Sequence, residues 1–231
     1  MSSSNMITIG EKLDPQGKPS AGTGFLYEPD GPIAELLEKR TSPIISQPQT
    51  GEWLFGLVTA EETGGEYASG VVIFRPGNMG PPEHIHPSYD EHFHILVGEF
   101  LFIQNVEKQI ARPGDKIIIK RGIPHTFRCI SDRYGALIGE TRPSARTTEV
   151  IATLFGMAHE GKLGPKGQPK FLHGMVIGEE FGEDTVFTSP PPVVVNFLVR
   201  VLAPVGRMLG YQATYPHYMD ESFWEKHVNQ P

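Results

Sequence analysis

The middle of the chain alternates apolar and polar residues in short runs, and glycine, proline or aspartate separates one run from the next. Such runs are typical of β-strands, because successive side chains on a strand point to opposite faces. Many short strands at close spacing predict a barrel or a sandwich. The nine predicted strands are 53–60, 67–75, 83–86, 91–97, 99–106, 109–112, 116–120, 125–130 and 136–141.

Beyond Pro143 the spacing of apolar residues becomes three or four, which predicts helices at 147–160 and 169–181. Residues 193–209 are strongly apolar, and their length raises the question of a membrane span. Polar and charged residues and a proline interrupt this run, so we expect no span but a helix that lies across the barrel or against a partner. The interrupting residues are Asn196, Arg200, Pro204 and Arg207.

The first 30 residues are polar and rich in turns, and they predict an irregular arm. Pro32 suits the first turn of a short helix over 32–40. The chain is therefore predicted to be mainly β, in three parts. An N-terminal arm with a short helix covers 1–45, a β-barrel covers 46–145, and a helical extension over 146–231 packs on the barrel or caps it.

Composition limits the kinds of molecule that this 231-residue chain can bind. Its net charge is −7, and no basic stretch is longer than two residues. Nucleic acid is therefore excluded, because phosphate binding needs clustered Lys and Arg. A single cysteine rules out an intramolecular disulfide, and the Met-Ser-Ser-Ser-Asn start lacks the pattern of a secretory signal. We expect a cytoplasmic protein.

Four residues of ligand type occur where the predicted turns and strands would bring them together. His84 and His86 lie on one face of a strand, and the turn-like residues 87–90 return the chain so that Glu91 reaches the same face. His125 opens a later strand. Three imidazoles and a carboxylate suit one divalent transition metal, which could be Fe, Mn, Ni, Cu, Co or Zn. The alternative is a hydrogen-bonded cluster without metal.

Three other residues with reactive side chains are given ordinary roles. His92 and His94 have the opposite parity from Glu91, so they are expected to face away from the metal. Cys129 shares the parity of His125 and is expected inside the barrel as a small hydrophobic residue.

The first ligand group resembles the first motif of the cupins, which reads His-x-His, three or four residues, Glu, six residues and Gly. His84, His86, Glu91 and Gly98 match it. The leading glycine of this motif is off register, because only three residues separate Gly80 from His84.

The second cupin motif is also recognisable. Gly114, Gly122 and His125 match it, while Lys120 stands where proline is usual and Cys129 where asparagine is usual. Neither departure removes a ligand. The resemblance covers roughly residues 50–141, and the rest of the chain is weakly similar to small bacterial and fungal cupins that end in a helical segment.

The resemblance implies a cupin double-stranded β-helix, or jelly roll, that binds metal through the four matching residues, as in quercetinase-like enzymes. It also implies that Glu91 can leave the metal and act as a general base. Small cupins commonly pair through strand edges and an N-terminal arm, so a homodimer is expected.

A site with one carboxylate and a +2 ion keeps about one net positive charge and favours an anionic or enolisable oxygen. We therefore predict an enzyme for a small apolar or aromatic substrate of the enolate, phenol or hydroxyketone type. A dioxygenase is favoured, because no basic phosphate clamp is evident and the apolar helices could make a dry pocket. The alternatives are an isomerase, cyclase or decarboxylase, and a non-catalytic protein that binds a small molecule.

Overall fold

The computed structural model describes residues 6–231, so the first five residues of the predicted arm lie outside it. Antiparallel strands form a six-stranded sheet, a five-stranded sheet and one separate two-stranded ribbon. The strands are β1 Ile7–Ile9, β2 Phe25–Tyr27, β3 Ile45–Gln47, β4 Glu52–Val58, β5 Ala68–Phe74, β6 His84–Ile85, β7 Asp90–Val97, β8 Phe100–Gln104, β9 Glu107–Ala111, β10 Lys116–Ile119, β11 His125–Cys129, β12 Gly135–Arg142 and β13 Val186–Phe187.

The large sheet has the order β10-β7-β12-β5-β4-β3, and the small sheet has the order β13-β6-β11-β8-β9. All nine predicted strands are present, with ends that differ by up to two residues from the prediction. The helices are α1 Pro32–Glu38, α2 Thr147–His159, α3 Phe171–Phe181, α4 Pro192–Met208 and α5 Glu221–His227, with a short 3-10 helix at Pro216–Tyr218.

The prediction of a wholly irregular N-terminal arm is wrong for the described residues, because β1 and β2 pair within it. The arm is held by the indole of Trp53, whose Nε1 donates to the carbonyl of Gly10 at 2.9 Å, and by Phe25, which packs 5.5 Å from that indole. The end of the described chain also lies here, since the amide of Leu13 donates to His227. These partners lie far away in sequence, so local patterns did not reveal the ribbon.

Aromatic rings fill the space between the two sheets. Phe93, Phe102 and Phe127 pack with ring centroids 5.2 to 5.3 Å apart, and Phe74 and Phe100 continue the cluster. All five side chains are buried. The interior is thus a packed core, and a bound molecule has to be accommodated at the mouth of the barrel.

A second core lies on the other face of the large sheet, where the helices pack. On β5, Val71 and Ile73 point to this core, while Phe74 belongs to the barrel interior. Because both faces of the sheet are covered there, its strands are more continuously apolar than a half-exposed strand would be.

Helices α3 and α4 form a hairpin. A Cβ at Gly206 would lie 2.6 Å from Val176 and 2.9 Å from the carbonyl of Leu172, so glycine permits their close approach. The opposite face of α4 exposes an apolar stripe, in which Val193 is 80% and Phe197 66% exposed. Within residues 6–231 no helix is both long enough and apolar enough to cross a membrane.

A buried histidine in the second core makes stability depend on pH. Burial lowers the pKa of His159 to about 4, and positive charge on His227 and Lys12 adds to this effect. The Nε2 atom of His159 lies 3.0 Å from the hydroxyl of Ser46. An unfolded chain would protonate this imidazole near pH 6.5, whereas the folded protein keeps it neutral.

Acid is therefore expected to favour the unfolded state, with stability lost as the pH falls from about 6.5 towards 4. The contribution amounts to roughly 2 to 3 kcal/mol between pH 7 and pH 4.5. Urea unfolding of the wild type and His159→Gln at both pH values measures it, because the variant should lose that part of the pH dependence. His217→Gln is the matched control, since the side chain of His217 is 47% exposed. Equal pH dependence in all three proteins would contradict the assignment.

Candidate metal centre

The two sheets bring the four predicted ligands to one end of the barrel. Strand β11 pairs with β6 so that His125 lies directly opposite His84, and His86 follows β6. Glu91 comes from β7 in the other sheet. Each residue offers one ligand atom, and these atoms all lie within 4.8 Å of one another. The three imidazoles are buried, so the cluster is largely shielded from water.

The carboxylate of Glu91 contacts two of the imidazoles. Its Oε2 atom lies 2.9 Å from Nε2 of His125 and 3.1 Å from Nε2 of His86. The ring of His84 completes the group, with its centroid 4.3 Å from that of His125 and 4.6 Å from that of His86.

The other ring nitrogen of each imidazole has a backbone partner. The Nδ1 atoms of His84, His86 and His125 lie 2.8 to 2.9 Å from the carbonyls of Pro82, Asp184 and Ile123. A carbonyl only accepts, so each Nδ1 carries the hydrogen and each neutral ring has its lone pair on Nε2.

This arrangement leaves electron-pair donors facing one another. With the hydrogens on Nδ1, the contacts of Nε2 with the Glu91 carboxylate join two acceptors, which need a cation between them. Among the described residues, Nε2 of His86 is buried without a hydrogen-bond partner, since its 3.1 Å contact with Glu91 lacks the required geometry. The four side chains therefore fit a divalent transition metal, which takes imidazole nitrogen and carboxylate oxygen as ligands.

The protonation of the cluster also suits a cation. Burial lowers the pKa of His84 to about 4, and repulsion between its charged form and the neighbouring rings of His125 and His86 adds to this effect. Burial by itself raises the pKa of Glu91, but the close contact of its carboxylate with the rings of His125 and His86 outweighs this effect and lowers the pKa to about 2. At neutral pH, His84 is therefore neutral and Glu91 is ionised, which are the forms that bind metals.

Comparison with known proteins agrees with this fold. Residues 70–138 match the model of the cupin domain family. These residues of the barrel thus form a cupin domain. A search of curated proteins finds no match.

Several solved cupin-like structures are similar to this chain. An RmlC-like cupin from Shewanella frigidimarina is 18% identical, with 47% of this chain and 89% of that chain covered and a TM-score of 0.40. KdgF from Halomonas sp. is 19% identical, with 42% and 84% covered and a TM-score of 0.38. A predicted oxalate decarboxylase from Thermotoga maritima is 18% identical, with 44% and 92% covered and a TM-score of 0.40.

One departure from the cupin motifs has a structural role. Lys120, which replaces the usual proline, places Nζ 2.8 Å from the carboxylate of Asp90. The backbone amide of Arg121 donates to the same carboxylate at 3.0 Å. These bonds lower the pKa of Asp90, with that from Lys120 the largest effect. They hold the turn before Glu91 against the end of β10.

The off-register glycine of the first cupin motif is also required. Gly80 has φ +64°, and a Cβ built on it would lie 1.8 Å from the carbonyl oxygen of Phe127. The next residue, Pro81, accepts a hydrogen bond from the hydroxyl of Thr126 at 2.7 Å. The loop that enters His84 is thus pressed against β11, where His125 lies.

The alternation of side chains along the strands correctly predicts the positions of His92, His94 and Cys129. His92 and His94 are on the outer face of the large sheet, and Nδ1 of His92 lies 3.5 Å from Glu140. Cys129 is buried in the barrel core.

Sequence reasoning did not identify two groups around the imidazoles of this cluster. Tyr89 stacks on His86 at 4.3 Å, and its hydroxyl lies 3.1 Å from that of Thr147. The helical extension supplies the carbonyl of Asp184 and, beside His84, the ring of Phe187. An exposed tyrosine in a turn has the same local pattern as a buried one, and the contacts of the extension span about a hundred residues.

Proposed function

We propose that His84, His86, Glu91 and His125 bind one divalent transition metal and that this cupin is an enzyme. Its substrate is a small apolar or aromatic molecule with an enolate, phenol or hydroxyketone oxygen, and its reaction is a dioxygenation. The observation that carries the proposal is the convergence of three imidazole lone pairs on an ionised, shielded carboxylate.

A bound divalent ion supplies a Lewis acid with about one net positive charge, which attracts a substrate oxygen. Glu91 is the group assigned to accept the substrate proton, because its carboxylate is ionised and lies among the imidazoles. Tyr89 is unsuited to this role, because burial and then the charge of Glu91 raise the pKa of its phenol. The phenol therefore stays protonated, and stacking on His86 fixes the imidazole plane.

Replacing Glu91 by glutamine is expected to lower kcat by about 10²- to 10⁴-fold, the range typical for loss of a general base. The three imidazoles should still retain metal, although more weakly. Steady-state kinetics and elemental analysis of the same preparation measure both effects. Glu140→Gln is the matched control, because Glu140 also contacts a histidine but lies on the outer face of the sheet. Full activity in Glu91→Gln would contradict the role of this carboxylate.

Oxygen uptake tests the reaction type. The Fe(II)-loaded protein is supplied with a panel of flavonols and β-diketones, and oxygen consumption is measured alongside substrate loss. A dioxygenase consumes one oxygen molecule for each substrate molecule. Turnover that is unchanged without oxygen would instead support an isomerase, cyclase or decarboxylase. A protein without stoichiometric metal that still binds a small molecule would support the non-catalytic alternative.

We also propose that the protein is a homodimer and that the exposed apolar stripe of α4 forms its contact. This α4 stripe consists of Val193, Val194, Phe197, Val201, Val205 and Met208. The stripe repeats apolar residues at a spacing of three or four, and Phe197 lies in its middle. Phe197→Glu is expected to give a monomer in light scattering. Ile118→Glu is the matched control, because this half-exposed side chain lies on the edge strand β10. If only Ile118→Glu is a monomer, the dimer contact lies at the strand edge and not at the α4 stripe.

A further inference from the structure

The segment 183–188 connects α3 to α4 and reaches back to the barrel. Its strand β13 pairs with β6, with Val186 opposite Ile85 and Phe187 opposite His84. After β13, the amide of Thr188 donates to the carbonyl of Glu83 at 3.2 Å. The extension thus adds an edge strand to the sheet that carries His84 and His125.

The same segment contacts one imidazole of the cluster directly. The carbonyl of Asp184 accepts the Nδ1 hydrogen of His86 at 2.8 Å, and the hydroxyl of Thr185 lies 3.3 Å from the same nitrogen. This hydrogen bond decides which nitrogen of His86 keeps its lone pair and where that lone pair points.

The three imidazoles differ in which part of the chain supplies the carbonyl that accepts the Nδ1 hydrogen. His84 and His125 use the carbonyls of residues two positions earlier, Pro82 and Ile123, so their orientation is set within their own strand entries. His86 instead depends on a residue 98 positions later in the chain. Its orientation is therefore complete only when the segment is docked.

Helix contacts hold the segment in this place. Arg146, at the start of α2, pairs with Glu180 at 3.1 Å and lies 4.6 Å from the ring centroid of Phe181, three residues before Asp184. Arg207 of α4 pairs with Glu179 at 2.9 Å. The end of α3 is thus tied to both neighbouring helices immediately before the segment begins.

We propose that segment 183–188 is a positioning element of the metal centre and couples docking of the helical extension to metal binding. The inference rests on the proposed metal site. The segment accepts the hydrogen of Nδ1 and so keeps Nε2 of His86 directed at the other three ligands. Metal bound to Nε2 holds the ring in the same orientation, so the coupling acts in both directions.

Val186→Pro tests the first direction, because proline removes an N–H from β13 and restricts the residue before it. We expect the affinity for Zn(II), measured against a competing chelator, to fall about 10- to 100-fold, as for lost hydrogen bonds to metal-bound histidines. The matched control is Phe171→Pro at the first position of α3, where the side chain is 62% exposed and the preceding Lys170 is already extended, with ψ 147°. Unchanged affinity in folded Val186→Pro overturns the proposal.

A spectroscopic measurement on the metal-free protein separates this inference from the metal site itself. Long-range ¹H–¹⁵N spectra report the tautomer of each histidine. In Val186→Pro, His86 should lose its single Nδ1-H form while His84 and His125 retain theirs. Retention of that form by His86 overturns the positioning role. If the wild type binds no metal but the spectra change as expected, the proposed metal site fails and the positioning role stands.

Hydrogen exchange of the wild-type protein tests the reverse direction without any substitution. Zn(II) is expected to slow amide exchange in segment 183–188 at least several-fold. The turn at residues 16–18 should exchange at the same rate with and without the ion, because its amides donate to Asp14 within the same turn. Zn(II) binding that leaves exchange in the segment unchanged overturns the coupling.

Discussion

Replacing His125 by alanine is expected to remove stoichiometric metal and to weaken metal affinity by at least about a hundredfold, because a lost ligand costs more than a lost partner of a ligand. His125 is completely buried, lies opposite His84 and contacts the carboxylate of Glu91 at 2.9 Å. Alanine at this position removes the imidazole that contacts both His84 and Glu91. Elemental analysis of the purified protein and titration with Zn(II) or Co(II) measure the effect.

His94→Ala is the matched control for this prediction. His94 is also on a barrel strand, but its side chain lies on the outer face of the large sheet. The control should keep full metal content, and circular dichroism should show that both variants remain folded. If His125→Ala kept wild-type affinity, His125 would not be a ligand, and the cluster would be a hydrogen-bonded group.

Replacing Gly80 by alanine is expected to reduce the free energy of unfolding by roughly 3 to 4 kcal/mol, which is large for one methyl group. The backbone at Gly80 has φ +64°, and this conformation costs a residue with a Cβ about 1 to 2 kcal/mol. The added Cβ would also lie 1.8 Å from the carbonyl oxygen of Phe127, a backbone atom that cannot move aside alone. Urea unfolding measures the change.

Gly77→Ala separates the two causes. Gly77 has a similar φ of +70°, but a Cβ there meets no atom within 4 Å. Gly77→Ala should therefore reduce the free energy of unfolding by only about 1 to 2 kcal/mol, which is the effect of the backbone conformation alone. Equal losses in the two variants would show that the contact with Phe127 is unimportant. Metal affinity should fall in Gly80→Ala alone, because the shifted loop leads directly to His84.

The sequence was sufficient for the barrel strands and for the convergence of the four ligand-type residues. Period-two alternation placed His84 and His86 on one face, and the turn at 87–90 brought Glu91 back to them. Both relationships are local in the chain, so they appear in the pattern of residues. The same alternation correctly assigned His92 and His94 to the outer face.

The missed features depend on partners that are distant in sequence. Strand β13 has two residues, and it exists as a strand because β6 lies beside it. The ribbon of β1 and β2 has three-residue strands in a segment rich in turn residues, and Trp53 and Phe25 hold it against the sheet. No period can be recognised in such short elements, since alternation needs four or more residues to be distinguished from chance.

The sequence does not reveal how the barrel interior is filled. The rings of Phe93, Phe102 and Phe127 pack against one another behind the ligand-type residues. Composition gives the number of aromatic residues and not whether they surround a space or fill it. Substrate selection is therefore expected to depend on the mouth, where Phe187 of the extension lies beside His84.

The dependence of His86 on Asp184 has a consequence for the order of events during synthesis. A ribosome adds about 5 to 20 residues per second, so the barrel strands through β12 emerge seconds before residue 184. In that interval His84 and His125 already have their supporting carbonyls, while His86 lacks its own. An ion captured by the nascent barrel would meet one imidazole still free to turn, and it could exchange with other ions until the extension docks.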